Sequence, residues 1–158
     1  MLDVFTVSFF GHRNFSEHFQ IEPKLENLLK DIITEHEFVE FLVGRNGEFD
    51  QFVCSTIRKI KKDFCASKTE LVCVLPYETA EYKNNEKSFC TYYDRVEIYT
   101  PSQRTHFNAL IKNRNQEMIL RSNLVISYVN RKTSGAYICN LFAQNNHVSV
   151  INLAEPNT

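Results

Sequence analysis

A chain of 158 residues, 43% hydrophobic and 23% charged, holds enough apolar material for one globular core and too little length for two, which excludes a disordered polymer and predicts a single domain over 1–158. Its formal net charge of -1 argues against a broad cationic surface and makes nucleic acid an unlikely partner. No run approaches the roughly 18 apolar residues of a membrane span, so no membrane partner is expected.

Strand and helix signals alternate along the chain. "VFTVSFF", Val4 to Phe10, is β-branched and aromatic and stops at Gly11, the pattern of a strand buried on both faces. Ile21 to His36 carries Leu25, Leu28, Leu29, Ile32 and Ile33 at helical spacing, with Pro23 placed in the first turn. A second strand is predicted at Phe38 to Val43. After "GRNGEFD", the stripe Phe52, Val53, Ile57 and Ile60 marks another helix. Glu70 to Leu75 is a third strand, ended by Pro76. Tyr77 to Tyr93 shows no period and is predicted to be the longest loop. Arg95 to Thr100 is a short strand, His106 to Ser122 a helix, Leu124 to Val129 a strand, Ala136 to Asn145 a helix and Val148 to Leu153 a last strand.

This alternation predicts a Rossmann-like α/β sandwich, a mostly parallel sheet with helices on both faces. Ligands of such sheets bind at the carboxyl ends of the strands. Three loops fall there: "GHRNF", "GRNGEFD" and "NRKTSGA". In the second, Gly44 lets the chain turn out of its strand, Gly47 leaves backbone open to close approach, and Asp50 can cap the following helix. A helix N-terminus behind a glycine suits an anion such as phosphate; the same spacing also describes a plain β-to-α turn. Ser134 and Gly135 repeat the arrangement.

The five cysteines, Cys54, Cys65, Cys73, Cys90 and Cys139, include no C-x-x-C pair, which predicts neither a disulfide framework nor a metal knuckle. The apolar setting of Cys73 in "LVCVL" suits a reduced thiol, and a cytoplasmic location is expected. "MLDVFTVSFFGHR" has no basic region ahead of its apolar run, unlike a secretory leader. His18, His36, His106 and His147 lack ligand spacing, so no metal is expected.

The strings "FFGHR", "FLVGRNGEFDQFV", "VLPY", "RNQEMILRSNLVISYV", "SGA" and "AQNNHVSVINL" run in order over nearly the whole chain. Together they resemble the DUF1273, YpsA-like branch of the SLOG superfamily. The resemblance implies a Rossmann-like fold and a site for a nucleotide-derived ligand such as ADP-ribose or NAD; SLOG relatives often pair as homodimers. The more distant LOG phosphoribohydrolases carry R-K-x-x-M and, after a strand, P-G-G-x-G-T-x-x-E. Here Arg114 and Met118 keep the first spacing, with Asn115 in the lysine's place. "KTSGAYICN" lacks the double glycine and puts Cys139 or Asn140 where the catalytic glutamate would stand, which speaks against LOG-type hydrolysis.

Arg114 shares a helical face with Met118, so its planar fork serves either a phosphate or a buried ion pair. His12 and Arg13 follow a strand at the ligand edge, where histidine titrates near neutrality and arginine holds an anion. Asn46 serves either a ribose or base, or the turn itself. The expected ligand-binding set is Gly11, His12, Arg13, Gly44, Arg45, Asn46, Gly47, Asp50, Arg114, Asn115, Ser134 and Gly135, with no catalytic residue assigned. The basic run Arg58 to Asp63 reads as a solvated helix face, and Tyr77, Tyr82, Phe89, Tyr92 and Tyr93 either offer a stacking platform or fasten a loop. The expected function is a cytoplasmic sensor or binding module for a nucleotide or nucleotide-derived ligand. Two alternatives are a nucleoside-phosphate hydrolase or transferase using Asp50 or Glu48, and a single-stranded DNA module, which net charge disfavours.

Overall fold

Six parallel strands make one sheet in the order β4-β3-β2-β1-β5-β6. The computed structural model describes residues 2–64 and 66–155; Cys65 lies outside them. In chain order the elements are β1 Val4–Gly11, α1 His18–Glu35, β2 Phe38–Val43, α2 Glu48–Asp63, β3 Thr69–Leu75, α3 Ala80–Asn84, α4 Glu86–Tyr92, β4 Arg95–Ile98, α5 Leu110–Leu120, β5 Leu124–Tyr128, α6 Gly135–Asn145 and β6 Ser149–Asn152. The strand order reverses between β1 and β5, which are neighbours although far apart in sequence.

The strands read as unbroken apolar runs because successive side chains enter different cores. Leu71, Cys73 and Leu75 join Leu25, Leu29, Ile33, Phe49 and Ile57 under α1 and α2. Val72 and Val74, between them, join Met118, Ile119, Ala136 and Ala143 under α5 and α6. The expected Rossmann-like sandwich is the observed one.

Three differences from the sequence reading exceed a shift of one or two residues. The first helix begins at His18, which leaves Pro23 inside it rather than in its opening turn. The predicted long loop contains α3 and α4; at five and seven residues they are too short to display a period. Thr79 nonetheless starts α3 by accepting from the Tyr82 amide at 3.1 Å, and Phe89, 3% exposed, anchors α4 in the core. The helix predicted from His106 opens as a 3-10 turn, Phe107–Ala109, before α5.

Under the carboxyl ends of β1 and β5 lies a layer of rings. Phe15 meets Phe49 at 5.3 Å, Phe52 at 4.9 Å and Tyr128 at 4.9 Å between centroids. Gly11 makes room for it: a Cβ there would stand 2.2 Å from Phe49 Cγ. Gly11→Ala should therefore destabilise the fold by about 1–3 kcal/mol, the cost of overpacking a filled core. Thermal unfolding of Gly11→Ala, Phe49→Leu and the double variant checks this. The smaller ring site should recover part of the loss, whereas strictly additive losses would mean that Gly11 is not there for Phe49.

Candidate functional site

A cleft of about 400 Å³ opens at the point where the strand order reverses. Its walls come from the loops after β1, β2 and β5 and from the facing side of α5, the position where open α/β sheets take their ligands. Among the expected residues it gathers Gly11, His12, Arg13, Gly44, Asn46, Gly47, Asp50, Arg114, Asn115, Ser134 and Gly135.

The start of α2 is fastened to the loop after β1. The Glu48 amide donates to the Arg13 carbonyl at 2.8 Å, and the Glu48 carboxylate accepts from the Phe15 amide at 3.1 Å. Gly47, the residue preceding α2, is extended, and a Cβ on it would stand 3.2 Å from Arg13 Cα and 3.6 Å from the His12 carbonyl. Close approach is needed at Gly47, as expected, but the approaching group is the chain's own backbone. Glu48, an alternative acid in the sequence reading, is committed to this clamp.

Gly44 makes space of a different kind. A Cβ there would meet Asp50 Oδ2 at 3.0 Å and Arg114 Nη1 at 3.5 Å, so the glycine clears the ground where a carboxylate and a guanidinium face each other. Asp50 is not the N-cap residue, which is Gly47; it is the third residue of α2, within the first turn, and receives the Asn46 amide. Burial pushes its carboxyl up to about 6, against the pull of Arg114 and that amide. Arg114, 6% exposed, donates from Nη1 to the Val74 carbonyl at 2.7 Å and from Nε to Asn115 Oδ1 at 2.9 Å. Both readings of Arg114 meet here: it is tied to a buried carbonyl beside Asp50, and it lines the cleft.

His12, 3% exposed, also lines the cleft. Its Nε2 accepts from the Asn130 amide at 3.1 Å, which leaves the ring proton on Nδ1. That Nδ1 is buried without a partner among the described residues. Burial, and then the charge of Arg131, lowers the pKa of the ring. His12 is therefore a neutral donor near neutral pH rather than the titrating group expected. At α6, Ser134 Oγ accepts from the Tyr137 amide at 3.1 Å. The amides of Gly135 and Ala136 remain at the positive end of an 11-residue helix, both residues line the cleft, and the space over Gly135 is open to at least 4 Å.

Arg45 does not join this set. It turns away to Glu81 at 3.2 Å and the Tyr93 hydroxyl at 3.0 Å, with its guanidinium 4.6 Å from the centre of the Phe89 ring. Arg131, Asn14, Ile111 and Cys139 line the cleft but were not in the expected set. Arg131 was detectable, as a cation directly after a strand in the quoted "NRKTSGA". Cys139, at the position compared with the LOG glutamate, has its thiol pushed up to about 12 by burial. It is no nucleophile near neutral pH.

No protein-family model matches the chain, and no characterised protein matches it in sequence. Solved structures do. DNA processing protein A from Helicobacter pylori, described for its single-stranded DNA binding mode, matches with a TM-score of 0.62 at 15% identity, over 92% of this chain and 63% of that one. DNA processing protein A (DprA) from Streptococcus pneumoniae matches with a TM-score of 0.61 at 14% identity, over 92% of this chain and 49% of that one. Over most of this chain the fold is like that of these DNA processing proteins. This chain spans less than two thirds of the length of either neighbour.

These likenesses correct two expectations. A sensor for ADP-ribose or NAD is not supported, and nucleic acid does not stand as an unlikely partner, because both neighbours are DNA processing proteins. Net charge also says little about any one patch, because many charges are paired locally. Arg95 is paired with Glu40, Glu70 and Glu97, Arg121 with Glu97 and Glu117, Lys59 with Glu22 and Glu26, Lys61 with Asp94, and Arg45 with Glu81. Arg13 and Arg131, exposed at the cleft, form no ion pair among the described residues. No helix among those residues is long and apolar enough to cross a membrane.

The raised Asp50 pKa has a definite sign. Between its ordinary value of 3.8 and about 6, the folded chain holds a proton that the unfolded chain releases, so Asp50 favours folding more as pH falls through about 6. Unfolding midpoints of wild type and Asp50→Asn, followed from about pH 7.5 to about pH 5, should shift relative to each other in favour of wild type on the acid side. A difference that stays flat across this range would place the Asp50 pKa at its ordinary value.

Proposed function

We propose that this chain binds single-stranded DNA, with a backbone phosphate seated in the cleft where the strand order reverses. The observation that carries the reading is the donor set there. Two guanidinium groups without an ion pair among the described residues, Arg13 and Arg131, stand at the mouth. The neutral Nδ1–H of His12 and the amides of Gly135 and Ala136 lie further in. Cations supply attraction that does not depend on sequence, and fixed neutral donors supply hydrogen bonds to phosphate oxygens. The single-stranded DNA binding of the H. pylori neighbour supports the same reading.

Depth favours a single strand over a duplex. His12 and Arg114 are 3% and 6% exposed, and a flexible strand can enter to reach them, whereas duplex phosphates are held on a stiff cylinder. Within the SLOG superfamily, the ordered strings from "FFGHR" to "AQNNHVSVINL" support placement in the DUF1273, YpsA-like branch. The helix α6 contains no charged residue and exposes Ile138 and Leu141, which supports a homodimer through that face. A cytoplasmic setting fits the free thiols of Cys54, Cys73, Cys90 and Cys139.

Fluorescence anisotropy with a labelled oligodeoxythymidylate tests the proposal. Arg13→Ala and Arg131→Ala should each weaken binding by roughly ten- to a hundredfold, the loss of one charge-assisted contact. Each should also reduce the slope of log affinity against log salt by about 0.7. A duplex of the same sequence should bind more weakly. No binding, or binding unchanged in both variants, would remove the cleft from the function.

A further inference from the structure

The helix α5 runs antiparallel to the strands, so its N-terminal end stands at the sheet edge that carries the cleft. Moving outward along one helical stripe from Arg114 and Asn115, the next positions are Ile111 and then Phe107. Ile111 is 40% exposed and lines the cleft. Phe107, in the 3-10 turn ahead of α5, is 61% exposed.

The Phe107 ring does not hang free. It packs on Tyr77, just past the end of β3, with ring centroids 4.8 Å apart and an interplanar angle of 49°. The turn beneath it is fixed by His106, whose carbonyl accepts from the Ala109 amide at 2.9 Å and whose Nδ1 accepts from the Asn108 amide at 3.3 Å. The aromatic residues expected as one group thus divide in two. Phe89, Tyr92 and Tyr93 are taken up with Arg45 and Arg58, while Tyr77 braces an exposed ring beside the cleft.

We propose that Phe107, braced by Tyr77, is a base-stacking subsite of the cleft. This rests on the single-stranded DNA reading above. The stripe carries donors at Arg114 and Asn115, an aliphatic step one turn out at Ile111 and an aromatic face about two turns out, roughly 10 Å along the axis, at Phe107; a flexible strand spans that distance from a phosphate held in the cleft to the base of the adjoining nucleotide. Stacking accepts any base, since each has a π-face, so the subsite adds affinity with little sequence preference.

The test compares a labelled oligodeoxythymidylate with an abasic deoxyribose-phosphate tract of equal length. The thymidylate should bind the wild type about 5- to 100-fold more tightly. Phe107→Ala should erase most of that difference and leave abasic binding unchanged. The chain has no tryptophan, so Phe107→Trp supplies a sole indole reporter, which should keep the preference and be quenched as thymidylate binds. Phe19, 92% exposed on α1 across the sheet, is the control, and Phe19→Ala should change nothing. Equal affinity for the two tracts, an equal loss in Phe19→Ala, or indole fluorescence left unquenched in Phe107→Trp would overturn the subsite while abasic binding upholds the phosphate site. Failure of both tracts to bind would remove both.

Discussion

Glu48 holds the loop after β1 against the start of α2 with its amide and its carboxylate together, and the rest of the site depends on that clamp. The two bonds, to the Arg13 carbonyl and from the Phe15 amide, bring together segments that leave adjacent strands and would otherwise diverge. Gly47 permits the crossing because a Cβ would press on Arg13. Below it, Phe15 is drawn into the ring layer of Phe49, Phe52 and Tyr128, and Gly11 gives Phe49 its space. The backbone of His12 and Arg13 is therefore set by packing on one side and by hydrogen bonds on the other. A preorganised loop of this kind can present donors without the entropy cost of ordering them on binding.

Charge at the cleft is graded with depth. Exposed arginines stand at the mouth; a neutral histidine and two helix amides come next; Asp50 and Arg114 share the ground at Gly44. The carboxylate at that depth is close to its titration point, with burial pushing it up to about 6. Arg114 is held to the Val74 carbonyl, so it orients the floor and adds its charge. Elsewhere Arg45, Lys59, Lys61, Arg95 and Arg121 are engaged in ion pairs with glutamates and an aspartate, and a chain of net charge -1 can still carry a local anion site.

Much of this was legible in the residues. The two-faced strands announced themselves as apolar runs, and their alternation with helices located the ligand edge before any motif was considered. What the residues did not show was direction. Arg45 sits in the same short loop as Asn46, yet its long side chain reaches Glu81 and the Phe89 ring, contacts set by distant parts of the chain. Arg131 was detectable as a cation just after its strand, but which loops it would share a cleft with was set by the pairing of β5 with β1. The helices α3 and α4 are shorter than two turns of pattern, so composition concealed them. Asp50 looked like a capping residue from its spacing, but Gly47 occupies that place and Asp50 faces inward.

A titration of ¹⁵N-labelled protein with oligodeoxythymidylate, followed by amide chemical shifts, tests the central claim most directly. Shifts should concentrate at Arg13, Asn46, Arg131, Gly135 and Ala136, around the cleft at the strand reversal. Shifts gathered instead on Arg58, Lys59, Lys61 and Lys62 of α2, with the cleft amides unmoved, would contradict it and place the DNA on the basic helix face.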